Sequence, residues 1–227
     1  MRAAVLPTGL ILLMGCATPA PAPKPPADPI QVRIDSVPEA ATVTLGGKPL
    51  GVAPQDVVVD GAEALLTLDA RRPDGIPAVE KRIRFLSMDR VEVSFRFGAE
   101  RSAMAKVLGL PRILVFDYGQ GVTFDTNKAD LKPAFLPLLA RQSALLKSHF
   151  SGVDVYVCGH TDSAGARDHN LMLSLQRAQS VADHLAGQGL PKGRLKIQGF
   201  GPQYPVADND RDEGRALNRR TEVILPQ

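Results

Sequence analysis

From residue 30 to residue 97, apolar and polar positions alternate in short runs broken by turn formers, the period-two pattern of half-buried strands. "IQVRIDSV" (30–37) alternates and ends at Pro38. "ATVTLGGKPLG" (41–51) is rich in β-branched residues and then reaches Gly46-Gly47, a hairpin turn signal. "QDVVVDG" (55–61), "ALLTLDARR" (64–72), "VEKRIRFLS" (79–87) and "RVEVSFRFG" (90–98) follow at short spacing and read as further strands. Residues 30–97 are therefore expected to form a small all-β domain, and residues 98–112 a linker that can hold a short helix at "RSAMAKVLGL".

The pattern changes at residue 113. "ILVFDYGQGVTF" is strand-like, and "PAFLPLLARQSALLKSHF" (133–150) is an amphipathic helix. Pro137 fits that helix only in its first turn, with the start near Phe135. "VDVYVCG" (153–159) is a strand. "RDHNLMLSLQRAQSVADHLAGQG" (167–189) is a longer helix closed by Gly187 or Gly189. "RLKIQGFG" and "NRRTEVIL" are two more strands. The order βαβαββ over residues 113–227 predicts an α+β two-layer sandwich, with helices on one face of a sheet.

The chain has 227 residues, 44% hydrophobic and 22% charged, enough for one large domain or two small ones plus a leader. Aromatics make up only 5% and Trp is absent, so the cores must be mainly aliphatic. The net charge of +3 is scattered, with no Lys/Arg run and no aromatic platform, which argues against nucleic acid. "MRAAVLPTGLILLMGC" has Arg2, an apolar run too short to span a bilayer, and small residues before Cys16, so residues 1–15 read as a signal peptide. Leu13-Met14-Gly15-Cys16 resembles a bacterial lipobox, which implies cleavage after Gly15 and acylation of Cys16. Two or three acyl chains anchor a protein stably. Ala17 in place of Asp resembles enteric lipoproteins sent to the outer membrane. An ordinary secretory signal with a chance cysteine is the competing reading. Residues 16–29 are then the acylated cysteine and a Pro/Ala-rich tether, "ATPAPAPKPPADP", reaching roughly 40 Å as polyproline II. Cys158 is left without an intrachain partner and reads as a small residue at a strand end.

Candidate chemistry concentrates in "CGHTDSAGARDHNLMLSLQRAQSV" (158–181). On a helical wheel Leu171, Leu175, Ala178, Ala182 and Leu185 fall within about 80° of one another and should face the sheet. Asn170, Ser174, Arg177 and Val181 form a second stripe about 100° away, while Gln176, Gln179 and Asp183 should be wet. Arg177 thus sits at the shoulder where the loop carrying His160, Thr161 and Asp162 leaves its strand. A guanidinium fork matches a carboxylate and an Asp accepts from an ammonium, so the pocket suits a zwitterion. "GHTDSAGARDHNLMLSLQRAQSV" resembles the OmpA-like peptidoglycan-binding domain, with Gly159, His160, Thr161, Asp162, Gly165, Asn170, Leu173, Ser174, Arg177, Ala178 and Val181 in register. "FDTNKADLKP" (124–133) resembles that family's entry to its first helix. Gly199, Gly201, Pro205, Asn209, Gly214, Arg215, Asn218, Arg219 and Arg220 resemble its C-terminal block. The resemblance implies a diaminopimelate site, with Arg177 on the carboxylate, Asp162 on the amino group, and Thr161, Asn170 and His160 nearby. His169 stands where the family usually has an aromatic; a ring walling the pocket there would alter affinity or pH dependence. "SVPEAATVTLGGKPLGVAP" (36–54) resembles the PEGA domain through Ser36, Pro38, Glu39, Ala41, Gly46, Gly47, Gly51 and Pro54.

Other readings of these residues differ in kind. His160, Asp162 and His169 could be drawn as a metal site, but no spacing matches a zinc motif. A Ser163–His160–Asp162 hydrolase lacks a Gly-x-Ser-x-Gly elbow. Asp162 with Arg177 could be a buried ion pair that only orders the loop. Arg215, Arg219 and Arg220 are either structural salt bridges or glycan contacts, Arg220 the former. The expectation is a non-enzyme with no cofactor or metal: an outer-membrane lipoprotein, periplasm-facing, that ties the membrane to peptidoglycan without covalent chemistry. The alternative is a subunit of an envelope machine for secretion, efflux or motility, in which residues 30–97 bind a protein partner.

Overall fold

A computed structural model describes residues 28–37, 40–98, 102–119 and 123–227. Cys16, the signal peptide and most of the tether lie outside the described residues. In the N-terminal half, β1 (Pro29–Val37), β4 (Gln55–Asp60), β6 (Glu80–Phe85) and β7 (Arg90–Arg96) bury Ile30, Val32, Ile34, Val59, Ile83, Phe85, Val91, Val93 and Phe95 on one face. The even spacing of these residues makes this a strand pattern. β2 (Thr42–Leu45) and β3 (Lys48–Val52) form the expected hairpin, with Gly46 and Gly47 at φ +56° and +80°. Two successive positive φ values are what a type I′ turn demands.

"ALLTLDARR" divides differently from the expectation. Gly61–Thr67 is helix α1, burying Ala62 and Leu65, and only Leu68–Arg71 continues as strand β5. Ala, Glu and Leu are strong helix formers, and an i, i+3 apolar pair suffices for one buried turn. The N-terminal region is therefore not all-β. β3, β2 and β5 make a separate three-stranded sheet whose Val43, Leu68 and Ala70 join the main core.

The C-terminal half contains β8 (Ile113–Gly119), α3 (Leu136–His149), β9 (Val155–Gly159), α4 (Arg167–Gly187), β10 (Leu195–Gly199), a further short helix α5 (Asp212–Asn218) and β11 (Arg220–Pro226). This is the expected α+β sandwich with one helix added. Pro137 lies in the first turn of α3, after a 3-10 turn at Pro133–Phe135. α4 closes at Gly189 (φ +94°), whose N–H donates to the Ala186 carbonyl at 2.9 Å.

The two halves share one sheet. Its order is β10-β9-β11-β8-β6-β7-β1-β4, so β8 pairs in parallel with β6 of the N-terminal half. The stretch expected as a linker carries α2 (Ala103–Leu108), capped by Ser102 Oγ accepting from the Ala105 N–H at 3.2 Å. Met104 and Ala105 pack on the second face of the sheet against Ile113, Val115, Cys158 and Ile224. α3 and α4 cover the first face. No described helix is long and apolar enough to cross a membrane.

Candidate functional site

α4 lies on the sheet through contacts made by small residues. A Cβ on Gly159 would stand 1.9 Å from the Ser174 carbonyl oxygen, and one on Gly199 2.5 Å from the Leu175 nitrogen. The helix backbone therefore touches the ends of β9 and β10 directly. That contact turns the helix relative to the wheel expectation. Leu171 and Leu175 are 42% and 41% exposed, while Asn170, Ser174, Arg177 and Val181 join Ala178, Ala182 and Leu185 in the buried face. The stripe placed at the shoulder is close to the centre, because the glycines admit backbone where leucine side chains were expected to pack. Gln176, Gln179 and Asp183 are exposed as expected.

Beside this contact lies a cleft of about 590 Å³, lined by Phe124, Asp125, Asn127, Lys132, Thr161, Asp162, Asn170, Arg177 and Arg219, among others. Arg177 is 2% exposed. Its Nε donates to the Lys128 carbonyl at 2.9 Å and its Nη2 to the Asp125 carbonyl at 3.3 Å, and its guanidinium carbon lies 5.2 Å from the centroid of the Phe124 ring. Burial lowers its pKa to about 10, the Arg219 charge acts the same way, and Asp162 opposes both. It remains a cation at neutral pH. Asp162 Oδ2 accepts from Arg219 Nη1 at 2.6 Å and its Oδ1 from the Ala164 N–H at 3.1 Å. Asp162 is thus paired with Arg219 rather than with Arg177. Asn170 Nδ2 donates to the Ala164 carbonyl at 2.7 Å, tying the loop to the helix. Thr161 is held by its N–H to the Gly201 carbonyl at 3.0 Å.

Four of the five expected site residues, Asp162, Arg177, Thr161 and Asn170, therefore meet at one cleft. His160 does not line it. The side chain of His160 turns to the other face of the sheet, 1% exposed, stacked on Phe200 and 3.4 Å from Glu222 Oε2. Successive residues at a strand end point to opposite faces, so His160 and Thr161 cannot share one pocket wall. His169 is exposed and also outside the cleft; the aromatic wall is Phe124 instead. Arg219, left open between salt bridge and glycan contact, lines the cleft and pairs with Asp162. Arg215 pairs with Asp212 one turn away, and Arg220 is buried on Glu222. Gly214 sits where a Cβ would be 1.8 Å from the Asp208 carbonyl oxygen, and Asn218 Oδ1 accepts from the N–H groups of Val206 and Ala207. Asn209 Oδ1 then accepts from the Ser163 N–H at 3.2 Å, so this C-terminal block braces the Asp162 loop. Among the described residues no group of three or more His, Cys, Asp or Glu could hold a metal ion.

Residues 123–219 match the model of the OmpA family. The C-terminal half carries an OmpA-like domain. The chain is 43% identical over 112 residues to the protein of Escherichia coli named probable lipoprotein YiaD, a match covering 49% of this chain and 51% of that one. It is 35% identical over 107 residues to the peptidoglycan-associated lipoprotein of Agrobacterium fabrum, covering 47% of this chain and 60% of that one. Its matches thus span between about half and three-fifths of these relatives' length. Among solved structures it resembles the cell wall anchor of the T6SS from Pseudomonas aeruginosa, at 34% identity and a TM-score of 0.45, covering 49% of this chain and 79% of that one. The four expected residues that line the cleft, Asp162, Arg177, Thr161 and Asn170, fall inside the matched segment.

Proposed function

We propose that the protein is an outer-membrane lipoprotein that binds peptidoglycan without covalent chemistry, holding the free amino-acid end of a diaminopimelate side chain in the cleft. The observation that carries this reading is the charge layout of that cleft. Two guanidinium groups, Arg177 and Arg219, face it beside the Asp162 carboxylate. A zwitterionic end group fits: its carboxylate takes the fork of Arg177 and its ammonium competes with Arg219 for Asp162. The name of the Agrobacterium relative supports wall association. An acyl chain on Cys16 would hold the protein at the membrane, and many anchored copies on a repeating polymer gain avidity by effective concentration.

Co-sedimentation with purified sacculi of a diaminopimelate-type wall tests this. Wild type should pellet, and Arg177→Ala should lose at least about tenfold in affinity, since a charge-assisted bidentate contact is removed. Protein that stays in the supernatant, or Arg177→Ala that pellets like wild type, would rule the reading out. A second reading has one observation in its favour. The outer face of β1, β4 and β7 exposes Gln31, Arg33, Asp56, Val58 and Arg90, with no described element over it. A protein partner from an envelope machine docked there would make the wall contact its anchorage. In that case Val58→Asp should abolish partner capture and leave sacculus binding intact.

A further inference from the structure

Behind the cleft, on the second face of the sheet, lies a buried charged cluster that joins the two halves of the chain. Arg82, in β6 of the N-terminal half, is 5% exposed. Its Nε donates to Glu80 Oε1 at 2.9 Å, and its Nη1 to Asp117 Oδ2 at 2.9 Å and Glu222 Oε1 at 2.6 Å. Arg220 Nε donates to the same Glu222 oxygen at 2.7 Å. The other oxygen, Oε2, is left facing His160 Nε2 at 3.4 Å and has no hydrogen-bond partner. His160 is the residue before Thr161 and Asp162, and its backbone N–H donates to the Arg220 carbonyl at 2.9 Å. One carboxylate therefore touches a guanidinium from outside the OmpA-like segment on one side and the root of the Asp162 loop on the other.

We propose that Arg82 is a positioning residue for the cleft: by holding Glu222 it fixes the His160 ring, and with it the loop that presents Thr161 and Asp162. This rests on the cleft being the wall-binding site. The geometry favours Arg82 over its neighbour. Arg84, two residues on in β6, reaches Asp117 at 2.7 Å, whereas the third arginine of the cluster that reaches Glu222 is Arg220, on Glu222's own strand. A planar guanidinium holds its five donors in a fixed fork and so serves three carboxylates in one set geometry, whereas the three donors of an ammonium rotate on a flexible stem. The groups facing His160 are Glu222 and Arg220 from β11, Arg82 from β6 and the stacked ring of Phe200 from the loop after β10. Burial first, then the Arg220 charge, lower the pKa of His160; Glu222 opposes them, and Arg82 adds a smaller push in the downward direction, toward the neutral ring. Removing the Arg82 charge removes one of the forces that keep it neutral. A proton on His160 would then draw Glu222 Oε2 toward the ring and shift the loop root.

The test compares Arg82→Gln, Arg82→Lys and Arg84→Gln in the full chain. Two quantities are read: the His160 titration by NMR, and affinity for free diaminopimelate at pH 7.5 and pH 5.5. Arg84→Gln loosens the same sheet junction without touching Glu222, so it controls for general loss of stability. Arg82→Gln should raise the His160 midpoint, weaken diaminopimelate roughly 2- to 30-fold, and do so more at pH 5.5. Arg82→Lys should restore the His160 midpoint in part, and stands in if the Gln variant fails to fold. Arg84→Gln should match wild type in both readouts. Wild-type titration and affinity in the folded Arg82 variants would overturn the proposal, as would an equal loss in Arg84→Gln. If wild type binds no diaminopimelate, the cleft reading fails. The His160 midpoint and the amide shifts of Thr161 and Asp162, measured without ligand, still decide whether Arg82 positions the loop.

Discussion

Two buried cations illustrate how much a single residue reveals. Arg177 could be picked out of the sequence because it falls on a stripe beside the apolar face, where the Asp162 loop leaves its strand, and in register with a family motif. Lys81 could not. It alternates within a strand among other charges, yet it is 4% exposed in the main core. Its ammonium donates to the Leu66 and Leu68 carbonyls at 3.0 and 2.6 Å, the unsatisfied end of α1. Burial lowers its pKa from 10.5 to about 8, with Asp69 opposing. Between pH 8 and 10.5 the unfolded chain therefore binds the proton that the folded chain has released. The penalty is fully present below pH 8 and is relieved as the pH rises toward 10.5. Denaturant unfolding across that range should show wild type gaining stability relative to Lys81→Met, by on the order of 3 kcal/mol in the limit. Parallel curves for the two proteins would refute the assignment. The site side chain that sequence reasoning misplaced, His160, depended on how far strand alternation runs past Gly159, and the end of a strand is not legible in the sequence.

At the scale of elements, most of the helices and strands were legible. Strands were marked by alternation, α3 and α4 by their apolar stripes, and the β2–β3 hairpin by Gly46-Gly47. α1 and α5 were missed because each is about two turns long, and α5 has a glycine within it. The rotation of α4 was missed for a different reason. A wheel ranks side chains by apolarity, but this helix meets the sheet through Gly159, Ser174 and Gly199, where backbone approaches backbone. Gly159→Ala should accordingly force the helix off β9 and cost about 3 kcal/mol, with loss of sacculus binding because Arg177 rides on the same helix. Gly187→Ala in the last turn of α4, where a Cβ would meet nothing within 4 Å, should leave the unfolding midpoint unchanged or slightly raised. Equal effects at the two positions would show that α4 does not depend on the glycine contact.

The whole molecule differs most from the sequence expectation. A composition change near residue 98 and a strand pattern restarting at 113 suggested two domains and a linker. In the fold β6 and β8 pair along Glu80–Arg84 and Ile113–Asp117, and Asp117, fully buried, is neutralised by Arg82 and Arg84 from across that junction. Removing residues 28–112 would strip β8 of a partner strand and leave Asp117 without either cation, a change costing about 3–5 kcal/mol for a buried pair. Circular dichroism of the full chain in urea should therefore show one cooperative transition, and a 113–227 fragment should unfold at markedly lower denaturant; two separate transitions, or a fragment as stable as the whole, would count against a shared sheet. What the sequence by itself determined was most of the elements, the OmpA-like segment and the residue types that suit a zwitterion, because period, turn chemistry and motif spacing are local. Only the tertiary structure decided that Asp162 rests on Arg219, that His160 turns away from the cleft, and that an arginine at position 82 meets a glutamate at position 222. Those pairings join residues tens to more than a hundred positions apart, and their partners are chosen by strand order and by the desolvation of buried charge, neither of which is written in any window of the chain.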